Sequence, residues 1–215
     1  MWNREELIKS LLLYAVTIES VPIEKLVVDV EQAILGGATM IQLREKKLDV
    51  EEYARKATRI GEVCRKMKTP FIVDDSIEVA LKSGADGVHI GQDDVDAGVA
   101  RRLLGADKIV GVSAKTVEQA KRAETLGADY LGTGAIYPTK TKDVPIMTSI
   151  ETLTDICATV SIPVVAIGGL KSHNLATLRN TGVVGAAIVT GIFASDDIQA
   201  SAAACLKEIR QVVDR

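Results

Sequence analysis

The stretch IVGVSAKTVEQAKRAETLGADYLGT, residues 109–133, contains the pattern that decides the fold. It begins with a short run rich in Val and Ile, Ile109–Ser113, which is typical of a buried parallel strand. Thr116–Leu126 then places apolar residues at helical spacing, with charged residues between them. A turn centred on Gly127 leads to another apolar run, Tyr130–Thr133. The stretch therefore predicts a strand, a helix and a second strand parallel to the first.

The same alternation extends along the whole chain. Eight apolar runs of strand length predict eight strands, at Leu12–Thr17, Met40–Arg44, Phe71–Asp74, Gly87–Ile90, Ile109–Ser113, Tyr130–Thr133, Val164–Ile167 and Ala186–Thr190. Every second strand is preceded by a glycine turn, at Gly36-Gly37, Gly84, Gly127 and Gly182. We expect these glycines to end helices in the left-handed conformation. Their recurrence indicates four βαβα quarters.

Eight strands alternating with helices predict an α/β protein, a single (β/α)8 barrel domain over residues 1–215. The chain has 215 residues, a usual length for this fold without large insertions. The alternative is an open, doubly wound sheet. The Gly-x-Gly-x-x-Gly that usually follows the first strand of that fold is absent. The barrel is therefore the favoured prediction.

Composition narrows the class of protein. The chain is 47% hydrophobic and 26% charged, with a formal net charge of −3, and it lacks the basic excess of a nucleic-acid binder. No apolar run approaches the roughly 18 residues of a membrane span, and no signal peptide is recognisable at the N-terminus. We expect a cytoplasmic protein that acts on small molecules, and a homo-oligomer is compatible with this sequence. The three cysteines, Cys64, Cys157 and Cys205, have no metal-type spacing and are expected to be buried thiols.

Cationic side chains follow the second predicted strand. Gln42, Arg44 and Lys46 alternate along the chain and therefore share one face. At the carboxyl end of a barrel strand, two cations and an amide suit an anionic substrate, since Arg binds phosphate with two prongs and Lys acts as a point charge. The alternative is a solvated strand end with a surface pair between Glu45 and Lys46.

Acidic residues end the third and fourth predicted strands. Asp74 and Asp75 follow one, and Asp93 and Asp94 follow the next. Carboxylates beside an anion-binding rim would repel the substrate unless a cation lay between them. Mg²⁺ fits this role because it takes one or two carboxylates and completes its shell with water and phosphate oxygens. Asp75 and Asp94 are the candidate ligands. The alternative is that these aspartates cap helices, which is favoured for Asp93 and Asp96.

The remaining strand ends carry further polar groups. Ser113 is either a helix cap or a ligand contact. Hydroxyls alternate with cations in a non-helical segment around Pro138, at Thr139, Lys140, Thr141 and Lys142. Gly168-Gly169 and Val189-Thr190 end the last two strands, where barrels commonly bind a phosphate. His89 lies within a strand and is expected to be a hydrogen-bonded core residue. No catalytic Ser-His-Asp or Cys-His set is recognisable, which argues against a nucleophilic hydrolase.

Taken in order, these motifs resemble those of the thiamine-phosphate synthase family from Tyr14 to about Phe193. The matching motifs are QLREK at 42–46, VDD at 73–75, HIGQDD at 89–94, GVS at 111–113, YPTKTK at 137–142 and IGG at 167–169. Each motif alone is weak, but their order on successive strands is specific.

The resemblance implies a reaction and a set of site residues. The family joins 4-amino-2-methyl-5-pyrimidinylmethyl diphosphate to 4-methyl-5-(2-phosphoethyl)thiazole, or its carboxylate, and releases diphosphate by a dissociative, Mg²⁺-assisted substitution. By position, the pyrimidine diphosphate would contact Gln42, Arg44, Lys46, Asp74, Ser113 and Lys142. Arg44, Lys46, Ser113 and Lys142 would be the catalytic members of that group. The metal would be held by Asp75 and Asp94. The thiazole phosphate would contact Thr139, Lys140, Thr141, Gly169, Val189 and Thr190.

The sequence departs from the family in a few places, and two rival functions remain. Asp74 stands where the family commonly has Asn, Thr190 stands where Ser is commoner, and the usual Gly after Lys142 is missing. A similar barrel, a thiazole tautomerase, would not need Arg44, Lys46 and the acidic pair together. A non-catalytic thiamine-phosphate-binding protein would bind product without turnover.

Overall fold

The computed structural model describes residues 2–139 and 147–213. Its strands are β1 (Leu13–Val16), β2 (Met40–Leu43), β3 (Phe71–Asp74), β4 (Gly87–Ile90), β5 (Ile109–Ala114), β6 (Tyr130–Thr133), β7 (Val164–Ile167) and β8 (Gly185–Ile188). All neighbours pair in parallel in the order of the sequence, and β8 pairs with β1 to close the barrel. The predicted (β/α)8 fold is confirmed.

Helices connect and surround these strands. They are α1 (Arg4–Ser10), α2 (Ile23–Leu35), α3 (Val50–Lys66), α4 (Ile77–Ser83), α5 (Ala97–Leu104), α6 (Val117–Thr125), α7 (Ile150–Thr159), α8 (Thr190–Phe193) and α9 (Ile198–Val213), with a 3₁₀ helix at Ser172–Leu178. Side chains cap several of them, so the first amides of the helix find acceptors. Ser76 caps α4, Asp96 caps α5 and Thr116 caps α6. The predicted cap at Asp96 is confirmed, whereas the predicted cap at Asp93 is wrong, because α5 begins after Asp96. The cap of α4 is Ser76 and not Asp75.

Most strand bounds agree with the prediction to within a residue, and the largest difference lies at β8. The predicted strand ran to Thr190, whereas β8 ends at Ile188 and Thr190 begins α8. The backbone turns at Val189, whose carbonyl accepts from the amides of Ile192 and Phe193. Val189 and Thr190 therefore belong to the strand–helix turn at the carboxyl end of the barrel.

The glycine turns have the predicted positive φ, but Gly182 does not end a helix, because the preceding 3₁₀ helix already ends at Leu178. Gly37, Gly84, Gly127 and Gly182 all have positive φ, between 70° and 101°. At Gly84 the amide donates back to the last turn of α4, as expected for a left-handed helix end. Each turn reverses the chain so that the next strand can enter the barrel from the same end.

The barrel interior changes character along the strands. Near their amino ends the inward side chains form one apolar cluster that includes Met40, Ile72, Ile109 and Val165. Leu7 of α1 belongs to the same cluster, so α1 covers this end of the barrel. Two residues further along, the inward positions become polar, as at Gln42 and Asp74, because side chains repeat every second residue in a strand. The polar layer lies at the carboxyl ends of the strands.

No helix within residues 2–139 and 147–213 is long and apolar enough to cross a bilayer. The cysteines lie in helices, with Cys64 and Cys205 buried and Cys157 half-buried. Burial raises the pKa of Cys64 and of Cys157 to about 12, and that of Cys205 to about 11.

All three thiols are therefore expected to react slowly in the folded protein. At pH 8 a thiol of pKa 12 has about a thousandfold less thiolate than one of pKa 9, and only the thiolate is nucleophilic. Titration with a chromogenic disulfide should be slow in buffer and should reach three thiols rapidly in denaturant. Rapid modification of a thiol in the native protein would contradict this picture.

Candidate active site

A pocket opens at the carboxyl ends of the barrel strands, with about 980 Å³ of space including the part open to solvent. Ten of the fourteen residues that the resemblance assigns to substrate or metal line it, namely Gln42, Arg44, Lys46, Asp74, Asp75, Ser113, Thr139, Gly169, Val189 and Thr190. Lys140, Thr141 and Lys142 lie outside the described residues. Asp94 is described but does not line this pocket. The structure thus brings most of the candidates into one cavity.

Arg44 is held at one side of the pocket by acidic neighbours. Its Nη1 lies 3.3 Å from Glu19 Oε2 and its Nε lies 3.7 Å from Asp74 Oδ2. The Arg44 side chain is only 12% exposed. Its backbone amide also donates to the hydroxyl of Thr17, at 3.0 Å, which fixes the strand end. The guanidinium is therefore oriented before any ligand arrives.

Lys46 extends further into solvent and pairs with both aspartates that follow Val73. Its ammonium contacts Asp75 Oδ2 directly and lies 3.5 Å from Asp74 Oδ2. Asp75 adopts a left-handed φ of 61°, which Asp tolerates better than most residues. Its amide donates to the carbonyl of His89, at 2.7 Å, so the ends of β3 and β4 are tied together. The Asp75 carboxylate already accommodates a cation at the pocket rim.

Glu45 points away from the pocket and has a different partner from the one considered in the sequence. The alternative of a surface pair between Glu45 and Lys46 is wrong, because the Glu45 side chain is fully buried and contacts Lys56 of α3. The Glu45 carboxylate also accepts from the amide of Ser20, at 3.0 Å. Lys56 in turn donates to the carbonyl of Val21, at 2.6 Å. This buried pair fixes the loop after β1, which carries the Glu19 partner of Arg44.

Asp94 lies in the loop between β4 and α5. Its carboxylate accepts from the amide of Gly91 at 2.7 Å, and the side chain is exposed. Gly91 itself lines the pocket, so Asp94 stands next to the rim without forming it. Among the described residues, no three His, Cys, Asp or Glu side chains converge as a metal site. A metal here would depend on one or two carboxylates together with substrate oxygens, which is the coordination that suits Mg²⁺.

Glycines shape the opposite part of the pocket. Gly168 and Gly169 follow β7 with positive φ, 98° and 65°. A Cβ on Gly169 would lie 2.6 Å from the Cβ of Tyr137 and 2.8 Å from the carbonyl oxygen of Pro138. The backbone therefore comes close to the segment after β6, and Thr139 of that segment also lines the pocket. Bare backbone at a barrel mouth suits the binding of a phosphate.

Ser113 lines the pocket and is not a helix cap, because α6 is capped by Thr116. The Oγ of Ser113 lies 3.0 Å from Nε2 of His89. His89 is buried and hydrogen-bonded through both ring nitrogens, as predicted, but it also reaches the pocket floor. Lys115 was missed in the sequence although it lines the pocket. The two-residue period that selected Gln42, Arg44 and Lys46 would also have selected Lys115 after Ser113.

Comparison with known proteins gives a consistent set of similarities. The sequence profile described as thiamine monophosphate synthase matches residues 13–192. Thiamine-phosphate synthase 2 of Streptococcus pneumoniae is 46% identical over 191 residues, 89% of this chain and 91% of that protein. Thiamine-phosphate synthase of Ruminiclostridium cellulolyticum is 48% identical over 173 residues, 80% of this chain and 82% of that protein. A solved thiamine phosphate pyrophosphorylase from Pyrococcus furiosus superposes with a TM-score of 0.86 at 34% identity, covering 96% of this chain and 99% of that one.

Proposed function

Because this chain belongs to the thiamine monophosphate synthase family, we propose that the barrel pocket is where it joins two phosphorylated substrates. The activity of the chain is thiamine-phosphate synthesis, a transferase reaction. The substrates are 4-amino-2-methyl-5-pyrimidinylmethyl diphosphate and 4-methyl-5-(2-phosphoethyl)thiazole or its carboxylate. The assignment of the site rests on one observation: the cations that follow β2 and the close glycine backbone that follows β7 line the same cavity.

The cationic side of the pocket is assigned to the diphosphate. Arg44 and Lys46 stabilise the negative charge that develops on the leaving group when the C–O bond to the pyrimidine methylene breaks. Such preorganised donors act most strongly in a partly enclosed site. Lys142, whose position lies outside the described residues, is assigned to the same role from the sequence. Gln42, Asp74 and Ser113 hold the pyrimidine, so that the methylene carbon faces the second substrate.

The glycine side is assigned to the thiazole phosphate. Gly169, Val189 and Thr190 offer close backbone and a hydroxyl at the end of β7 and the turn after β8. Thr139 approaches from the segment after β6, and Lys140 and Thr141 are assigned from the sequence alone. With its phosphate held there, the thiazole nitrogen attacks the methylene carbon after diphosphate departs. Separate anion sites keep the two substrates from exchanging places.

Mg²⁺ is proposed to bind at Asp75 and Asp94. The fit rests on hard carboxylate oxygens directly after β3 and in the loop after β4, and on the cation that Asp75 already holds, the ammonium of Lys46. When bound, the metal would neutralise charge on the diphosphate. If the metal displaced Lys46 from Asp75, the Lys46 ammonium would be available to bind the same diphosphate.

The proposed function is tested by measuring diphosphate release with both substrates and magnesium. We expect stoichiometric formation of thiamine phosphate and diphosphate. A tautomerase would convert the thiazole phosphate carboxylate without the pyrimidine substrate, and a binding protein would retain thiamine phosphate without turnover. Either result in place of diphosphate release would contradict the proposal. The presence of Arg44, Lys46, Asp74 and Asp75 in one pocket favours the synthase.

Asp74→Asn is expected to retain at least about one third of wild-type kcat. Asp74 Oδ2 lies 3.5 Å from the Lys46 ammonium and 3.7 Å from Arg44 Nε, and an amide oxygen can accept from the same groups. The change also removes a negative charge beside the leaving diphosphate. Steady-state kcat and KM for the pyrimidine diphosphate provide the measurement, with Asp74→Leu as the variant that loses the acceptor. A nearly inactive Asn variant would instead mean that the charge is required, most simply as a further metal ligand.

Gly169→Ala is expected to raise KM for the thiazole phosphate by about tenfold or more and to leave KM for the pyrimidine diphosphate within about twofold. The new Cβ would collide with Tyr137 and Pro138, and φ is 65° at this position. Gly84→Ala is the matched control, because Gly84 has φ of 70° but no atom within 4 Å of an added Cβ and lies away from the pocket. If both variants raised KM for the thiazole phosphate equally, the cause would be backbone strain and not the loss of a phosphate site.

A further inference from the structure

Five side chains form a continuous hydrogen-bonded chain through the barrel interior beneath the pocket. Gln42 Nε2 donates to Tyr14 Oη at 2.7 Å, and Tyr14 Oη lies 2.8 Å from Tyr130 Oη. Tyr130 Oη lies 3.0 Å from His89 Nδ1, and His89 Nε2 lies 3.0 Å from Ser113 Oγ. The five residues come from five different strands. Only the two ends, Gln42 and Ser113, are among the residues assigned to substrate.

The barrel makes room for this chain by omitting side chains opposite it. A Cβ on Gly111 would lie 2.2 Å from Cζ of Tyr130 and 2.4 Å from its hydroxyl. A Cβ on Gly132 would lie 3.0 Å from Cε1 of His89. Gly111 pairs with both Tyr130 and His89 in the strand register, so the gap lies where the two rings meet. The rings fill space that an ordinary barrel layer would give to aliphatic side chains.

Burial restricts the protonation of the side chains in this hydrogen-bonded chain. Tyr14 and Tyr130 are at most 1% exposed, and desolvation raises the pKa of both hydroxyls well above 10. Both tyrosines are therefore neutral, and each has one proton to donate. A buried hydroxyl whose proton finds no acceptor costs about 1–3 kcal/mol. The favoured arrangement is therefore the one in which every hydroxyl proton in the chain has an acceptor.

The Gln42 amide sets the direction in which these protons point. Since Tyr14 accepts from Gln42 Nε2, its own proton is donated to the next oxygen in the chain, Tyr130. Tyr130 then donates to Nδ1 of His89, which must be unprotonated at that nitrogen. The remaining ring proton of a neutral His89 is on Nε2 and is donated to Ser113 Oγ. The Ser113 hydroxyl proton is thereby directed away from the chain.

We propose that Tyr14, Tyr130 and His89 are positioning residues that fix the polarity of the two ends of this chain, so that Ser113 presents a hydrogen-bond donor to the pocket and Gln42 presents its carbonyl oxygen. The ligand edge that fits has an acceptor facing Ser113 and a donor facing Gln42. A ring nitrogen beside an exocyclic amino group has this pattern. The assignment of this edge to the aminopyrimidine rests on the proposed function. An analogue with the two groups exchanged would place a donor against the Ser113 donor and an acceptor against the Gln42 carbonyl oxygen.

The tautomer of His89 reports this polarity directly and independently of catalysis. The protein has only two histidines, so protein labelled with ¹⁵N-histidine gives two sets of ring signals. The exposed His173 is identified by its loss in His173→Gln. In long-range ¹H–¹⁵N spectra of wild type we expect a pyridine-like Nδ1 and a pyrrole-like Nε2 for His89. A pyrrole-like Nδ1 would overturn the proposal.

Variants establish which neighbour selects the tautomer. Tyr130→Phe removes the donor to Nδ1 and should abolish the single-tautomer pattern, while Ser113→Ala should preserve it. Tyr14→Phe interrupts the chain one step earlier and replaces Tyr130→Phe if that variant does not fold. Tyr53→Phe is the matched control, because the buried Tyr53 hydroxyl donates to backbone carbonyls outside the chain. An unchanged His89 pattern in both Tyr14→Phe and Tyr130→Phe would overturn the proposal.

Kinetics then separate this proposal from the assignment of the substrates. Tyr130→Phe and Tyr14→Phe should raise KM for the pyrimidine diphosphate by about tenfold, the order expected for a misdirected hydrogen bond, and should leave KM for the thiazole phosphate within about twofold. With the expected tautomer in place, an effect confined to the thiazole phosphate would overturn the assignment of Gln42 and Ser113 to the pyrimidine but not the polarity of the chain. A mixed tautomer in an active wild-type enzyme would overturn the polarity and leave the proposed function intact.

Discussion

Arg44→Ala is expected to lower kcat/KM by about 30- to 900-fold, which corresponds to about 2–4 kcal/mol of transition-state stabilisation. The guanidinium is already oriented by Glu19 and Asp74 and is largely shielded from solvent, so its field acts on the leaving diphosphate with little reorganisation. Alanine removes this charge and leaves Asp74 without one of the cationic neighbours that the described residues provide. Steady-state assays of diphosphate release provide the measurement.

Two further variants make the result specific. Arg44→Lys retains a point charge without the planar fork and should lie between wild type and alanine. Arg59→Ala on the outer surface of α3 removes an exposed arginine paired with Glu62 and should leave kinetics unchanged. Calorimetry should detect normal thiazole phosphate binding to Arg44→Ala. Loss of that affinity would contradict the division of the pocket into two anion sites.

Turnover is expected to depend on magnesium, and Asp94→Asn is expected to lower kcat/KM at limiting magnesium by about 100-fold or more. Asparagine can still accept from the Gly91 amide that Asp94 contacts, so the loop should keep its conformation while the carboxylate charge is lost. Raising the magnesium concentration should recover part of the rate. The measurement is the dependence of the rate on free magnesium for both proteins.

Asp93→Asn is the matched control for the metal, because Asp93 is an exposed neighbour in the same loop. It should follow the wild-type magnesium dependence. Full activity of the wild type in excess chelator would remove the metal from the mechanism. Full activity of Asp94→Asn at limiting magnesium would remove Asp94 from the metal site.

The fold could be predicted from the sequence because its signals are local. Each strand lies in a short apolar run, most of them rich in Val, Ile or Leu, and each glycine turn is recognisable without knowledge of its neighbours, as at Gly84 and Gly127. The pocket followed from the rule that carboxyl ends of parallel strands meet at one end of a barrel. Gln42, Arg44 and Lys46 are therefore predicted to lie together, and all three line the pocket.

The features that the sequence did not predict depend on contacts between distant segments. Glu45 is adjacent to Lys46 in sequence, but its partner is Lys56, because strand geometry directs alternate side chains to opposite faces. The chain from Gln42 to Ser113 requires five strands in register, and no single strand contains a sign of it. Tyr14 and Tyr130 are indistinguishable in sequence from other core aromatics. Their role is apparent only from the partners of their hydroxyls.

The change from apolar to polar side chains along the inside of the barrel implies that its two ends accept mutations by different criteria. Near α1, residues such as Met40 and Ile72 are constrained mainly by volume, so exchanges among aliphatic side chains of similar size should be tolerated. Two residues further along the same strands, Gln42 and Asp74 are constrained by charge and by the direction of their hydrogen bonds. In a library of random variants, the tolerated substitutions on a single strand should therefore switch from size-conserving to polarity-conserving between one inward position and the next.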